Sequence, residues 1–197
     1  MIKKLSMKFG SKTKAQEMVL LLNDAKEVVR QGFYDEELLA VERFCQEHDL
    51  FLIKSKFKVL LAGEASYSNK GIRIKETDKR PGMFFVYLSK DEQKAWLAAY
   101  YELVGNEHDL GILLGYPKCC VKFFLKNFNQ KTPNPVHLPT NLFTNISKRD
   151  QDLVIISHFP CHSDCEPSME LGKKYLDLLR NVDMIRTKEL VENLKRD

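Results

Sequence analysis

The sequence predicts a single α+β domain over residues 1–197, with N-terminal helices, a small mainly antiparallel sheet and C-terminal helices that carry two cysteine motifs. Three observations support this. Apolar residues recur at three- and four-residue steps before residue 50 and again after residue 89, the period of amphipathic helices. Between them, residues 51–89 break into short β-branched and aromatic runs joined by turn signals, and connections that short favour antiparallel neighbours. Finally, 197 residues suffice for one well-buried core, and 44% apolar with 29% charged residues is the balance of an ordinary globular chain.

Residues 1–12 are rich in lysine (Lys3, Lys4, Lys8, Lys12) and read as a basic, flexible N-terminus. No apolar run follows the positive start, so it does not resemble a secretory signal. The longest apolar runs, 59–62 and 83–88, fall far short of the roughly 20 residues needed to cross a bilayer. A cytoplasmic protein without a membrane partner is expected. From Thr13 to Arg30, Met18, Leu21, Leu22, Ala25, Val28 and Val29 follow a helical period. A second helix opens with Asp35 as its cap and carries Leu38, Val41, Cys45 and His48 on one stripe. Cys45 and His48 read as packing residues there.

Residues 51–53, 57–61, 72–74 and 84–88 read as strands, with turns at 66–71 and 78–82. The glycine-flanked stretch 63–71 lacks the Gly-Lys-Ser/Thr ending of a phosphate-binding loop and reads as a turn. Lys54, Lys56 and Lys58 alternate, which puts them on one face of a strand. With a formal net charge of only +4, that row is a solvated face before it is a nucleic-acid surface. Ser89 with Glu92 has the spacing of a capping box, and Ala95, Trp96, Ala99, Tyr100 and Leu103 form the apolar face of the helix that follows, with Trp96 in the core. Gly105 ends it, and 107–114 is one further short helix with a solvated start at Glu107, His108 and Asp109.

Four of the five cysteines fall in two motifs, Gly115-Tyr116-Pro117-Lys118-Cys119-Cys120 and His158-Phe159-Pro160-Cys161-His162-Ser163-Asp164-Cys165. Pro117 suits a first helical turn, and Val121, Phe124, Leu125 and Phe128 supply the apolar stripe behind it. Cys119 and Cys120 then sit where the helix dipole and unpaired amides favour a thiolate. Successive helical residues are turned by about 100°, so Cys120 faces inward and Cys119 nearly opposite, which argues against both joining one site. Residues 153–156 read as a short buried strand delivering His158. Pro167 marks another first turn, placing Cys165 at a second positive helix end, and two helices follow at 167–180 and 183–195. The Pro- and Asn-rich stretch 129–150, which includes His137, is an irregular surface connection tethering the two motifs.

At 115–124 and 158–168 the chain resembles an uncharacterised, mainly archaeal family of unknown function, marked by Gly-Tyr-Pro-x-Cys-Cys-x-x-Phe-Phe and then His-x-Pro-Cys-Ser-x-x-Cys-x-x-Ser. The resemblance spans roughly residues 107–180. His162 stands where the family has serine. The resemblance implies no reaction.

Clustered cysteines in a chain without an export signal point first to metal binding. The expected first shell is Cys120, Cys161, Cys165 and His158, with Cys119 as an alternate ligand or reactive thiol, between two helix N-termini. Zinc is the first metal expected and an iron–sulfur cluster the second. An open position on the metal would supply Lewis-acid chemistry. Two alternatives use the same residues: a thiol–disulfide redox centre with His158 or His162 as proton acceptor, or a non-enzymatic protein- or RNA-binding module with structural cysteines. The partner is a small-molecule substrate or a protein, and residues alone do not separate these.

Overall fold

A four-stranded antiparallel sheet in the order β1-β4-β2-β3 lies between two groups of helices, so the protein is α+β. The computed structural model describes residues 1–61, 71–129, 132 and 134–195. The strands are β1 (Val28–Phe33), β2 (Phe51–Leu61), β3 (Gly71–Lys75) and β4 (Met83–Ser89). The helices are α1 (Ile2–Phe9), α2 (Lys12–Leu22), α3 (Asp35–Glu47), α4 (Glu92–Val104), α5 (Glu107–Leu113), α6 (Lys118–Asn127), α7 (Glu166–Val182) and α8 (Met184–Leu194). Strand alternation divides the sheet between two cores. Val29, Phe33, Phe84, Val86 and Leu88 join the main core with α2, α3, α7 and α8, whereas Val28 and Tyr87 face Ala98 of α4 and Leu110 of α5. No helix among the described residues is long and apolar enough to cross a membrane.

Several expectations are corrected. The lysine-rich start is a packed helix rather than a flexible tail: Ile2 and Phe9 are buried, and the Ile2 N–H donates to Asp183 at 2.6 Å. The helix expected over 13–30 stops at Leu22, because Asp24 turns left-handed (φ 56°) and the Ala25 N–H returns to the Leu20 carbonyl. Val28 and Val29 then pair with Ser89 and Leu88 of β4. Helix α2 is buried nearly all round, as expected of an element wrapped by core. Asp35 is the first residue of α3 rather than its cap, which is Tyr34; the Tyr34 N–H donates to Glu37.

The segments 51–53 and 57–61 form one strand, β2, with an irregularity between Lys54 and Lys58. That shift breaks the lysine row: Lys58 is buried and donates to the Asp78 carbonyl, while Lys54 pairs with Glu76 at 2.8 Å. The turns expected within 63–70 lie outside the described residues.

Helix α4 is capped by Asp91, whose carboxylate accepts the Gln93 and Lys94 N–H groups, while the Ser89 hydroxyl donates to the Glu27 carbonyl. Its rotation also differs from expectation. Ala95, Ala98 and Glu102 face the sheet, leaving Trp96 53% exposed. Glu102 sets that rotation, since its carboxylate receives both Arg30 and Arg73 from the strands. Two alanines beside it let the helix lie close enough for the ion pairs.

Residues 154–156 are fully buried but form no strand. The Gln16 side-chain amide donates to the Val154 and Ile155 carbonyls at 3.1 and 3.2 Å, in place of a neighbouring strand. The 129–150 connection is irregular where described, closing in a single 3-10 turn at Arg149–Gln151.

Candidate metal centre

Gly115 and Pro117 set the first cysteine pair. Gly115 adopts φ 78°, and the Tyr116 N–H returns to the Gly111 carbonyl, which closes α5 in the manner left-handed glycine favours. Pro117 follows as the N-cap of α6. Cys119 and Cys120 therefore occupy its first turn. At the second motif Cys165 is the N-cap of α7, Pro167 lies in that helix's first turn, and the Cys165 N–H closes a turn onto the His162 carbonyl. Phe159, stacked on Phe124 with ring centroids 5.4 Å apart, ties the loop to α6. The long connection straps over it: the Thr140 N–H donates to Ser163 Oγ at 2.7 Å and Asn141 Nδ2 to the Ser163 carbonyl at 2.9 Å.

These constraints bring Cys119, Cys120, Cys161 and Cys165 together, with all four sulfurs within 4.8 Å of one another. Cys119 Sγ lies 3.9 Å from Cys120 Sγ and 3.7 Å from Cys165 Sγ, and Cys120 Sγ lies 3.6 Å from Cys165 Sγ. The group can hold a metal ion. Cys120 and Cys165 are buried, Cys161 is half-buried and Cys119 is exposed.

Cys119 thus joins the cluster despite the angular expectation. Helical side chains tilt toward the N-terminus, so residues whose Cβ atoms diverge around the axis can still send sulfurs to one point beyond its end. His158, expected as a ligand, is not in the cluster. It is buried, its Nε2 sits 2.8 Å from Ser168 Oγ, and its ring packs against Tyr116 at 5.3 Å. Ser168 Oγ is in turn 3.1 Å from Cys120 Sγ, and the Cys161 N–H donates to that sulfur at 3.3 Å.

Burial pushes the Cys120 thiol well above its ordinary value and Cys161 up to about 11. Cys165 moves the other way: burial opposes, but hydrogen bonding from Ser168 and the neighbouring thiols outweighs it and favours its thiolate. His158 is pushed down to about 3, first by burial and then by the positive charges of Lys26 and Arg149. The imidazole is therefore neutral near pH 7 and a poor proton acceptor. His162 is exposed.

Sequence reasoning quoted Tyr116 and Ser168 within the two motifs but gave neither a role, and it did not single out the buried pair Lys26–Glu17, in which Lys26 Nζ lies 2.5 Å from Glu17 and 3.3 Å from Ser157 Oγ. Ser168 had a local signal, three residues beyond Cys165 in a first helical turn. Lys26 had none, because nothing in its neighbourhood marks it as buried. Cys45 lies apart on α3, its thiol raised to about 12 by burial and Glu42. Glu166 and Glu170 are exposed. His137 is a surface residue whose ring packs at a tilt against Phe123, centroids 5.0 Å apart. Comparison of the chain with known protein families, curated proteins and solved structures gives no match.

Proposed function

We propose that this is a zinc-binding protein in which Cys119, Cys120, Cys161 and Cys165 hold one ion as a tetrahedral tetrathiolate. The sulfur spacing carries this reading. Four sulfurs each about 2.3 Å from one tetrahedral metal lie about 3.8 Å apart, and three of the separations here are 3.6, 3.7 and 3.9 Å. An iron–sulfur cluster fits less well, because it places thiolates on different irons and spreads them further than sulfurs sharing a single ion.

Four thiolates around Zn²⁺ leave a net charge of −2. The N-termini of α6 and α7 both face it, the Cys161 N–H donates to Cys120, and Lys26 and Arg149 supply positive charge beyond His158. A shell closed by four protein ligands is that of a structural site rather than a catalytic one. Its role here is to clamp α6 to the start of α7 and fix the loop beneath the 129–150 connection.

The test is elemental analysis and a visible spectrum on anaerobically purified protein, with alkylation of cysteines before and after chelation. One zinc per chain, no visible absorption and four thiols protected until chelation are expected. Iron with broad visible absorption and released sulfide would overturn the zinc assignment. A second reading, thiol–disulfide exchange, is favoured by the contact between exposed Cys119 and Cys165. It predicts no metal and the reversible loss of two thiols, with two electrons and two protons passing to an oxidised disulfide partner.

A further inference from the structure

We infer that in the metal-loaded protein His158 donates its Nε2–H to the Ser168 hydroxyl and Ser168 donates to Cys120 Sγ, so that these two residues position the Cys120 thiolate. This rests on the metal reading above.

The direction of the chain follows from counting protons. A metal-bound Cys120 has lost its proton and can only accept. Ser168 Oγ has one proton to give, and the Cys120 sulfur 3.1 Å away takes it, which leaves Cys165 to draw on the Ser168 backbone N–H. Once it is given, the Ser168 oxygen offers only lone pairs to His158 Nε2 at 2.8 Å, so the ring nitrogen must carry the hydrogen. A neutral imidazole has one N–H, which leaves Nδ1 bare. Water has no easy way to substitute: Ser168 is 0% exposed, His158 5% and Cys120 1%.

The covalent frame reinforces the arrangement. Ser168 sits in the first turn of α7 behind its N-cap Cys165, so the helix that presents one ligand also orients the donor to another. Tyr116, immediately before the N-cap of α6, packs on the imidazole. The second motif thus supplies ligands and also positions Cys120 of the first, while Tyr116 of the first motif packs on the imidazole that supports it. Donors to a ligating atom hold its geometry and tune its basicity, and their loss typically costs 10–100-fold in metal affinity.

The test uses the full chain loaded with Zn²⁺ or Co²⁺. A long-range ¹H–¹⁵N correlation spectrum of the Zn²⁺ form reads the His158 tautomer. The Co²⁺ sulfur-to-metal charge-transfer band and Zn²⁺ affinity by chelator competition are compared among wild type, Ser168→Ala, Ser168→Thr, His158→Phe and His158→Gln. The Nε2–H tautomer is expected. Ser168→Ala and His158→Phe should each weaken Zn²⁺ binding by about 10–100-fold and move the band to lower energy, because a thiolate with fewer donors is easier to oxidise. Ser168→Thr should restore both.

An Nδ1–H tautomer in the loaded wild type overturns the relay, as do an unmoved band and unchanged affinity in both deletion variants. If those variants fail to fold, the wild-type tautomer decides alone. A wild type that binds metal while the relay fails leaves the tetrathiolate standing. A wild type that takes up neither Zn²⁺ nor Co²⁺ defeats both.

Discussion

Replacing Lys26 by Met should destabilise the protein far more than the loss of a surface charge would. The Lys26 and Glu17 side chains are only 1% and 3% exposed, and Nζ also reaches Ser157 beside His158. Met fills much of the same volume, so little packing is lost. What remains is a buried carboxylate without its partner, which typically costs about 3–5 kcal/mol. For a chain of this size each kcal/mol moves the melting temperature by about 2–4 °C, so a drop of roughly 6–20 °C is expected. The double change Glu17→Leu with Lys26→Met removes both charges and should recover most of the loss, because apolar replacement of a whole buried pair is often neutral or stabilising. Thermal unfolding followed by circular dichroism at neutral pH, with the metal content of each sample fixed, measures both. A single variant within about 2 °C of wild type would refute the buried-pair reasoning, since exposed pairs are worth only about 0–1 kcal/mol. So would a double variant no better than the single one.

Asp152→Asn should weaken the start of α2, where the carboxylate accepts from Ser11 Oγ and from the Lys12 and Thr13 N–H groups, at a cost of about 1 kcal/mol. Asparagine tolerates the positive φ of 61° at this position, so the change isolates the charge. Burial opposes ionisation of Asp152, but these hydrogen bonds outweigh it and hold its folded-state value below the unfolded one. The stabilisation is therefore present above the unfolded value of about 3.9 and lost as pH falls through the folded value. Denaturant unfolding should show the gap from wild type closing below about pH 4. Gly172→Ala would set a Cβ 2.8 Å from Phe143 Cβ and 2.9 Å from its carbonyl oxygen, pushing the connection off α7. Overpacking of this kind costs about 1–3 kcal/mol, read as a lower urea midpoint at unchanged slope. The sole tryptophan, Trp96, should show red-shifted emission that acrylamide quenches readily, and blue-shifted protected emission would contradict the exposed face of α4.

Much of this structure is local and therefore legible in the sequence. The cap and proline signals around 117 and 167 place α6 and α7 within a residue or two, and their N-termini hold the cysteines as expected. Period alone also gives α2–α5 and β2–β4 in order, though not α1 or β1. Strand β1 was hidden because Val28 and Val29 fit a helical stripe as well as a strand, and only pairing with β4, some 60 residues away, decides between them. Trp96 was misplaced because a single glutamate, drawn inward by Arg30 and Arg73, outweighs the apolar stripe in setting the rotation of α4. At the site, Cβ directions around a helix end say little about where sulfurs meet, which is why Cys119 joins the cluster. His158 and the cysteines are all soft or borderline candidate ligands, and spacing alone does not show that the fold gathers the four sulfurs and leaves His158 outside them.

Zinc-edge X-ray absorption on the purified protein tests the centre most directly. Four sulfur scatterers at about 2.3 Å and no nitrogen are expected. Three sulfurs with one nitrogen at about 2.0–2.1 Å would put His158 in the shell in place of a cysteine and contradict the tetrathiolate.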